Sequence, residues 1–180
     1  MNNYTIANQI TIDKDIQLYL LNTIENIPYI NKSIIPLAQI DNISHYKIQH
    51  DRDKRLLARS FLYEYLAKHY SITNFELDFN KYLKPFLKAA PNIHFSFSYA
   101  KDYVLVGISK HKKLGIDIEY IDPRLQISEM ATSIMCSAEL KQFNTYISNS
   151  SDQRIYFFQL FSAKESIIKA FGTGLYFDVK

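Results

Sequence analysis

Two short segments carry residues that could do chemistry. Residues 114–120 read LGIDIEY and place Asp117 and Glu119 two positions apart in an apolar run; residues 161–169 read FSAKESIIK and gather Lys164, Glu165 and Lys169. In an extended segment, positions i and i+2 point to the same side, about 7 Å apart. Asp117 and Glu119 therefore share one side, and Ile116 and Ile118 the other. Two carboxylates held that close repel unless a proton or a cation lies between them. An all-oxygen ligand set suits Mg²⁺ or Ca²⁺, and Mg²⁺ commonly takes one or two carboxylates together with phosphate oxygens of a substrate. With Glu165 as a third ligand and Lys164 and Lys169 as phosphate contacts, the set points to metal-assisted phosphoryl chemistry.

Each segment also has a plainer reading. An Asp-x-Glu pair on a strand is commonly a solvated edge. Glu165 and Lys169 make an i,i+4 ion pair on an amphipathic helix, and Ser162-x-x-Glu165 matches a capping box that would merely mark a helix start. One detail favours chemistry. Phe161 at −4 and Ile168 at +3 put Glu165 on an apolar helical face, where a carboxylate is costly unless something neutralises it.

The order G-I-D-I-E, then F-S-x-K-E-S-I-I-K with Glu165 48 residues after Asp117, resembles the two signatures of the 4′-phosphopantetheinyl transferases. The likeness is to the larger single-chain type that acts on peptide and polyketide synthases. It extends more loosely over residues 44–176. Residues 51–59 (DRDKRLLAR) resemble that family's Arg-rich helix, and Lys84-Pro85-Phe86 its K-P-aromatic loop. Residues 93–98 stand where an H-F-N-x-S-H-S strand is expected, and residues 136–143 (CSAELKQF) resemble an F-S-x-x-E helix with one residue fewer.

The resemblance implies an α+β fold of two similar lobes related by a pseudo-twofold, with antiparallel strands packed on helices. Residues 1–110 would form the first lobe and 111–180 the second, lacking the family's last strands. It implies transfer of 4′-phosphopantetheine from coenzyme A to a serine of an acyl or peptidyl carrier protein, with release of adenosine 3′,5′-bisphosphate. Asp117, Glu119 and Glu165 would hold Mg²⁺. Glu165, Lys169 and Lys164 would act in catalysis, and Arg52, Arg55, Lys84, Pro85, Ser98, Tyr99, Lys164 and Lys169 would bind coenzyme A. Lys164 and Lys169 lie about 140° apart around a helix, so both can flank Glu165 without facing one point.

The sequence departs from the family pattern in three places: Ser98-Tyr99-Ala100 replaces S-H-S, Phe161 replaces a tryptophan, and the chain ends six residues after Gly174. Two readings from other classes stay open. One is a catalytically silent module that binds coenzyme A or a carrier protein. The other is a metal-dependent phosphohydrolase or nuclease using the same carboxylates.

The elements that must position these residues follow from periodicity and turn signals. Residues 4–12 read as a strand, and 15–26 as a helix on the spacing of Ile16, Leu20 and Ile24. Residues 52–70 read as a helix with Leu56, Leu57, Phe61 and Leu66 on one stripe and the arginines largely off it. Phe75, Leu77 and Phe79 alternate as a strand, 84–92 is a two-proline loop, and Phe95 and Phe97 mark another strand. Residues 103–109 and 114–120 read as a hairpin around His111-Lys112-Lys113. Short helices are expected at 128–133 and 137–143, with Ser137 as cap. A turn at 148–152 precedes a long helix from about Gln153 to Phe171, stopped by Gly172 and Gly174.

Composition agrees with this reading. A chain of 180 residues with 47% hydrophobic content can bury a substantial core. Its rings are 14 Tyr and 12 Phe with no Trp, and Cys136 stands alone, which rules out an internal disulfide and multi-cysteine zinc patterns. A lone cysteine suits a reducing cytosol and a place in the core. No signal-like N-terminus and no membrane-length apolar run are visible, so a cytoplasmic protein is expected. The net charge of +3 is too mild to suggest nucleic acid, although Arg52, Lys54, Arg55 and Arg59 make one helix locally basic. Arginine suits bidentate phosphate contacts, and by resemblance this helix holds the 3′-phosphate of coenzyme A.

Overall fold

The computed structural model of the chain describes residues 4–146 and 149–173. In chain order its elements are β1 (Ile6–Asp13), β2 (Ile16–Asn22), α1 (Thr23–Asn26), α2 (Leu37–Ser44), α3 (Gln49–Tyr70), β3 (Leu77–Phe79) and β4 (Pro85–Leu87). They continue with β5 (His94–Ala100), β6 (Tyr103–Ser109), α4 (Ile127–Ile134), α5 (Ser137–Thr145) and α6 (Ser150–Phe171). Four strands form an antiparallel sheet in the order β1-β2-β6-β5, and β3 pairs with β4 in a small ribbon. The class is α+β, an antiparallel sheet packed against helices.

Strand alternation sorts the two faces of this sheet. Phe95, Phe97 and Tyr99 of β5 pair with Ile108, Val106 and Val104 of β6, so all six share one face. That face meets α3, and Leu57, Phe61, Leu62 and Leu66 of the helix complete a core with Tyr19 and Leu21 of β2. The opposite face carries Ser96, Ser98, Leu105 and Gly107. The extended segment 114–118 crosses there: a Cβ on Gly107 would meet Leu114 Cδ2 at 2.8 Å and Ile116 Cγ2 at 3.0 Å. A second apolar cluster, separate from the first, gathers Ile127, Ala131, Met135, Phe143, Phe157 and Phe158 from α4 to α6.

Most expected elements are present, and four differ. Residues 16–22 form β2 and not a helix. Their apolar residues fall on both faces, and pairing with β1 on one side and β6 on the other outweighs the helical spacing of three residues. The 84–92 loop contains β4, which finds its partner in β3. Segment 114–120 is extended but pairs with no strand among the described residues. It lies over the sheet face, so the expected hairpin with β6 does not form. Cys136 is half-buried, not a core residue, and is itself the N-cap of α5 in a capping box with Glu139. Helix α6 begins at Ser150, where the Asn149 side chain accepts from the backbone N–H of Ser151 and Asp152. Gly172 ends it in a left-handed conformation. Ser148 and Gly174, named for the neighbouring turn and stop, lie outside the described residues.

Helix α3 ends on Ser71, a non-glycine residue with φ 55° and ψ 28°. Left-handed backbone strains any residue with a Cβ and glycine least, while glycine loses more freedom on folding. Ser71→Gly should therefore raise stability by about 0.5–1 kcal/mol, read as a higher urea midpoint at unchanged slope. A lowered midpoint would show that the serine side chain contributes more than its strain costs.

Candidate active site

Among the described residues strand β5 is an edge of the sheet, and a cleft wraps around it. The cleft holds about 490 Å³ and is lined from one side by Arg55, Arg59, Phe97 and Tyr99 and from the other by Glu165 and Lys169. The first group comes from α3 and the core face of β5, the second from α6.

Segment 114–120 reaches α6 through Gly115. A Cβ there would lie 2.0 Å from the Ser166 carbonyl oxygen and 2.2 Å from the Ala170 nitrogen. No other residue type permits that approach. The segment is fixed on its other side by two hydroxyls in place of a strand ladder. Ser96 Oγ accepts from Ile116 N and Ser98 Oγ from Ile118 N, each at 3.3 Å. Leu114 and Ile116 are buried on the sheet, which turns Asp117 toward α6.

Asp117 is the most enclosed group of the site, with its side chain 3% exposed. Its Oδ1 accepts from Lys169 Nζ at 2.6 Å and from Ser98 Oγ at 2.8 Å, and Lys169 Nζ also donates to Ser98 Oγ at 3.0 Å. Its Oδ2 is buried with no hydrogen-bond partner. Glu119, on the more exposed part of the segment, has a carboxyl pushed up to about 6. Loss of hydration is the largest cause, followed by the neighbouring charge of Asp117; Glu165 adds to the rise and Lys169 opposes it. The alternation read from Asp-x-Glu and the convergence with Glu165 and Lys169 are thus both present.

Among the described residues no three His, Cys, Asp or Glu side chains are drawn together tightly enough to hold a metal. The donor chemistry nevertheless fits a hard divalent cation. Asp117 Oδ2 lacks a partner, and the mutual repulsion of Asp117, Glu119 and Glu165 is what a cation would relieve.

The other expected contacts divide. Arg55 and Tyr99 are in the cleft, and the guanidinium of Arg55 lies between two rings, 3.7 Å from the centroid of Tyr46 and 5.0 Å from that of Tyr99. Tyr99 also packs on the core beside Phe97, so it is at once a core and a cleft residue. Burial pushes its phenol up, with Arg59 and Arg55 opposing. Pro85 and Lys84 line the cleft, yet the Lys84 ammonium donates to the carbonyls of Leu114 (2.8 Å), Ala170 (3.2 Å) and Lys169. It ties the C-terminal end of α6 to segment 114–120. Ser98 serves Asp117 and Lys169 from beneath.

Two expected contacts stand elsewhere. Arg52 donates to the carbonyls of Tyr46 and Lys47 and to Gln49 Oε1, which folds the α2–α3 connection on itself. Lys164 points away from the cleft: its ammonium donates to Glu139 Oε2 at 2.7 Å and to the Ile134 carbonyl at 2.9 Å. Glu139 in turn accepts from Cys136 N at 2.8 Å, so one ion pair pins α4 and α5 to α6.

Sequence reasoning named Arg59 only as part of the basic helix, and did not single out Glu139 or the cleft residues Tyr46 and Tyr82. Arg59 sits one turn after Arg55 and carried a signal in its i+4 spacing. Glu139 carried one in its likeness to the F-S-x-x-E helix. Tyr46 had none, because its position over Arg55 depends on how α2 meets α3.

Two measurements follow from these contacts. Gly115→Ala should destabilise the protein by about 1–3 kcal/mol, because the added methyl meets backbone. Gly107→Ala should cost less, because it meets movable ends of Leu114 and Ile116. Denaturant midpoints that rank the two in reverse would refute the close contact. His94, at the start of β5, has its pKa lowered, first by burial and then by the charges of Lys84 and Lys113. The unfolded chain then binds the proton more readily, so stability is full above about 6.5 and falls as pH drops below it. Replacing His94 with Gln should flatten the decline in melting temperature between pH 7.5 and 5.5; an unaltered slope would assign it elsewhere.

Residues 113–180 match the 4'-phosphopantetheinyl transferase superfamily. The 4'-phosphopantetheinyl transferase gsp of Aneurinibacillus migulanus is 34% identical over 135 residues, 72% of this chain and 52% of that protein. The transferase ffp of Bacillus subtilis is 30% identical over 79% of this chain and 62% of its own, and Sfp of Bacillus subtilis (strain 168) is 29% identical over 69% and 54%. The chain thus spans about half the length of the curated relatives it matches. The superfamily match contains Gly115, Asp117, Glu119, Glu165 and Lys169, the residues that the close contact at Gly115 draws together, and it is over this part that the chain matches the 4'-phosphopantetheinyl transferase superfamily.

Proposed function

We propose that this chain transfers 4′-phosphopantetheine from coenzyme A to a serine hydroxyl of an acyl or peptidyl carrier protein. The observation that carries the reading is the cleft itself. At one end Glu165 and Lys169 line it, with Asp117 bonded to Lys169 and Glu119 adjoining from segment 114–120; at the other stand Arg55 and Arg59 beside two aromatic rings. A phosphorylated nucleotide carrying a second, flexible arm matches such a division. Arg55 and Arg59 offer charge to a terminal phosphate, Tyr46 and Tyr99 offer ring faces, and the carboxylates of the acidic end would hold a cation able to neutralise a pyrophosphate.

Asp117, Glu119 and Glu165 would hold Mg²⁺, which when bound supplies charge neutralisation and orientation to the pyrophosphate. The chain's own residues do the rest. Glu165 receives the proton of the carrier serine as its oxygen bonds to the phosphorus that bears pantetheine. The bond from that phosphorus to the bridging oxygen breaks, and adenosine 3′,5′-bisphosphate leaves with the electron pair. Lys169 offsets the charge growing on the phosphates in the transition state. Lys84 and Lys164, engaged with backbone carbonyls and Glu139, hold α6 so that Glu165 and Lys169 face the cleft.

The two-lobe organisation, residues 1–110 and 111–180, belongs with this reading. Its support is the pair of separate apolar clusters, one around the sheet and α3 and one among α4 to α6. No helix among the described residues is long and apolar enough to cross a membrane.

The test is the mass of apo acyl and peptidyl carrier proteins after incubation with the chain, Mg²⁺ and coenzyme A. A gain of one phosphopantetheine on the serine is expected, with a fall of about a hundredfold or more in rate for Asp117→Asn. Release of phosphate without a carrier would favour a hydrolase. Undiminished transfer by a folded Asp117→Asn protein would contradict the assignment of the site.

A further inference from the structure

Lys169 occupies one oxygen of the carboxylate that would hold a metal. Its ammonium is 2.6 Å from Asp117 Oδ1, and Ser98 Oγ bonds to both. The Asp117 side chain is 3% exposed, and a carboxylate so enclosed is severely destabilised without a positive partner. Lys169 is 30% exposed and lines the cleft, so its side chain has room to swing away. A divalent cation on the same carboxylate would meet an ammonium a few ångströms off, and two positive charges so near repel strongly in a poorly solvated site. Both cannot remain.

We propose that Lys169 is a stand-in cation, seated on Asp117 in the metal-free protein and displaced into the cleft when a divalent metal binds. The inference rests on the reading of Asp117 as a metal ligand and adds what happens to the charge it already holds. Asp117 is never left bare, which keeps segment 114–120 against α6 before any ligand arrives. The displaced ammonium enters the space where phosphates would lie, so metal binding also readies the cleft for a polyanion. Reciprocity follows: a pyrophosphate group that attracts Lys169 should help the metal to bind, and the metal should help the pyrophosphate. Ser98 is the positioning residue of this exchange, since its hydroxyl bridges the two partners and accepts from Ile118 N.

The test uses the full chain and two readouts that need no turnover. Mn²⁺ binding is followed by electron paramagnetic resonance for the unaltered protein, Lys169→Met and Lys113→Met. Removal of the competing ammonium should tighten Mn²⁺ by about tenfold or more. Lys113→Met, which removes the same charge from an exposed position, should change affinity by no more than about twofold. In parallel, nitrogen-15 spectra of the lysine ammonium groups should show in the metal-free protein an exchange-protected signal from Lys169, beside those of the enclosed Lys84 and Lys164. The Lys169 signal should be absent from a Lys169→Arg sample and vanish from the unaltered protein on saturation with Mg²⁺. The spectra keep the proposal testable should Lys169→Met fail to fold. Equal Mn²⁺ affinities, or a Lys169 ammonium signal that persists with Mg²⁺ bound, would overturn the exchange while leaving the metal site standing. Absence of Mn²⁺ binding in every protein would overturn the metal reading and the exchange with it.

Discussion

The contact between Gly115 and α6 is the constraint on which the site depends. Backbone meets backbone there, with Ser166 O and Ala170 N where a Cβ would stand. An approach that close fixes the rise of segment 114–120 along the helix to within a fraction of a turn. Asp117 is two residues beyond the contact, and Glu165 and Lys169 lie on the turns of α6 beside it. Their mutual distances are therefore set by main chain and not by side-chain packing, which tolerates shifts of this size. Lys84 reinforces the contact from outside by donating to carbonyls on both partners. Gly172 allows this, since a Cβ there would meet Lys84 Cδ at 2.6 Å.

A second constraint comes from the edge of the sheet. An ordinary fifth strand beside β5 would have placed Asp117 in the plane of the ladder, where alternation sends its side chain to one face or the other. Ser96 and Ser98 instead accept the backbone N–H groups of Ile116 and Ile118 from above the sheet. The segment keeps the period-2 alternation of a strand without joining one. Leu114 and Ile116 fill the space over Gly107, and Asp117 is held against Ser98. The edge of β5 stays open to the cleft, which can then draw on both faces of one strand: aromatic residues from the core side, Ser96 and the α6 charges from the other.

These two constraints explain what the sequence displayed and what it concealed. Alternation around Asp117 and Glu119, the helical stripe of α3 and the Gly172 stop of α6 are local properties, and each was legible as a pattern. The strand character of residues 16–22 was not, because IQLYLLN satisfies a helical spacing as well as a buried strand, and only its two neighbours decide. Segment 114–120 carried the alternation of a strand but no mark of which hydrogen-bond acceptors it would use. Likewise, Arg52 and Arg55 looked equivalent in a basic stretch, yet one turns back to the α2–α3 connection and the other sits between Tyr46 and Tyr99. Composition places cations on a helix; the chain's path decides which face a ligand.

Three lysines show the same division most sharply. Lys84, Lys164 and Lys169 all surround α6, and their types and spacing alone would make each a phosphate contact. Lys164, itself buried, has the half-buried carboxylate of Glu139 at 2.7 Å, and Lys84 has backbone carbonyls on two segments. Ammonium groups so enclosed cannot be moved to a ligand without leaving their acceptors bare, which costs several kcal/mol. Burial lowers the Lys84 pKa further, with Lys113 adding to the effect. Lys169 differs in that it is more exposed than Lys164 and in its partner: Asp117 has a second oxygen with no donor and neighbours of its own sign. A carboxylate in that position can exchange one cation for another. The lysine proposed to meet a substrate is thus the one whose counter-ion is incompletely satisfied and whose own side chain is the more exposed.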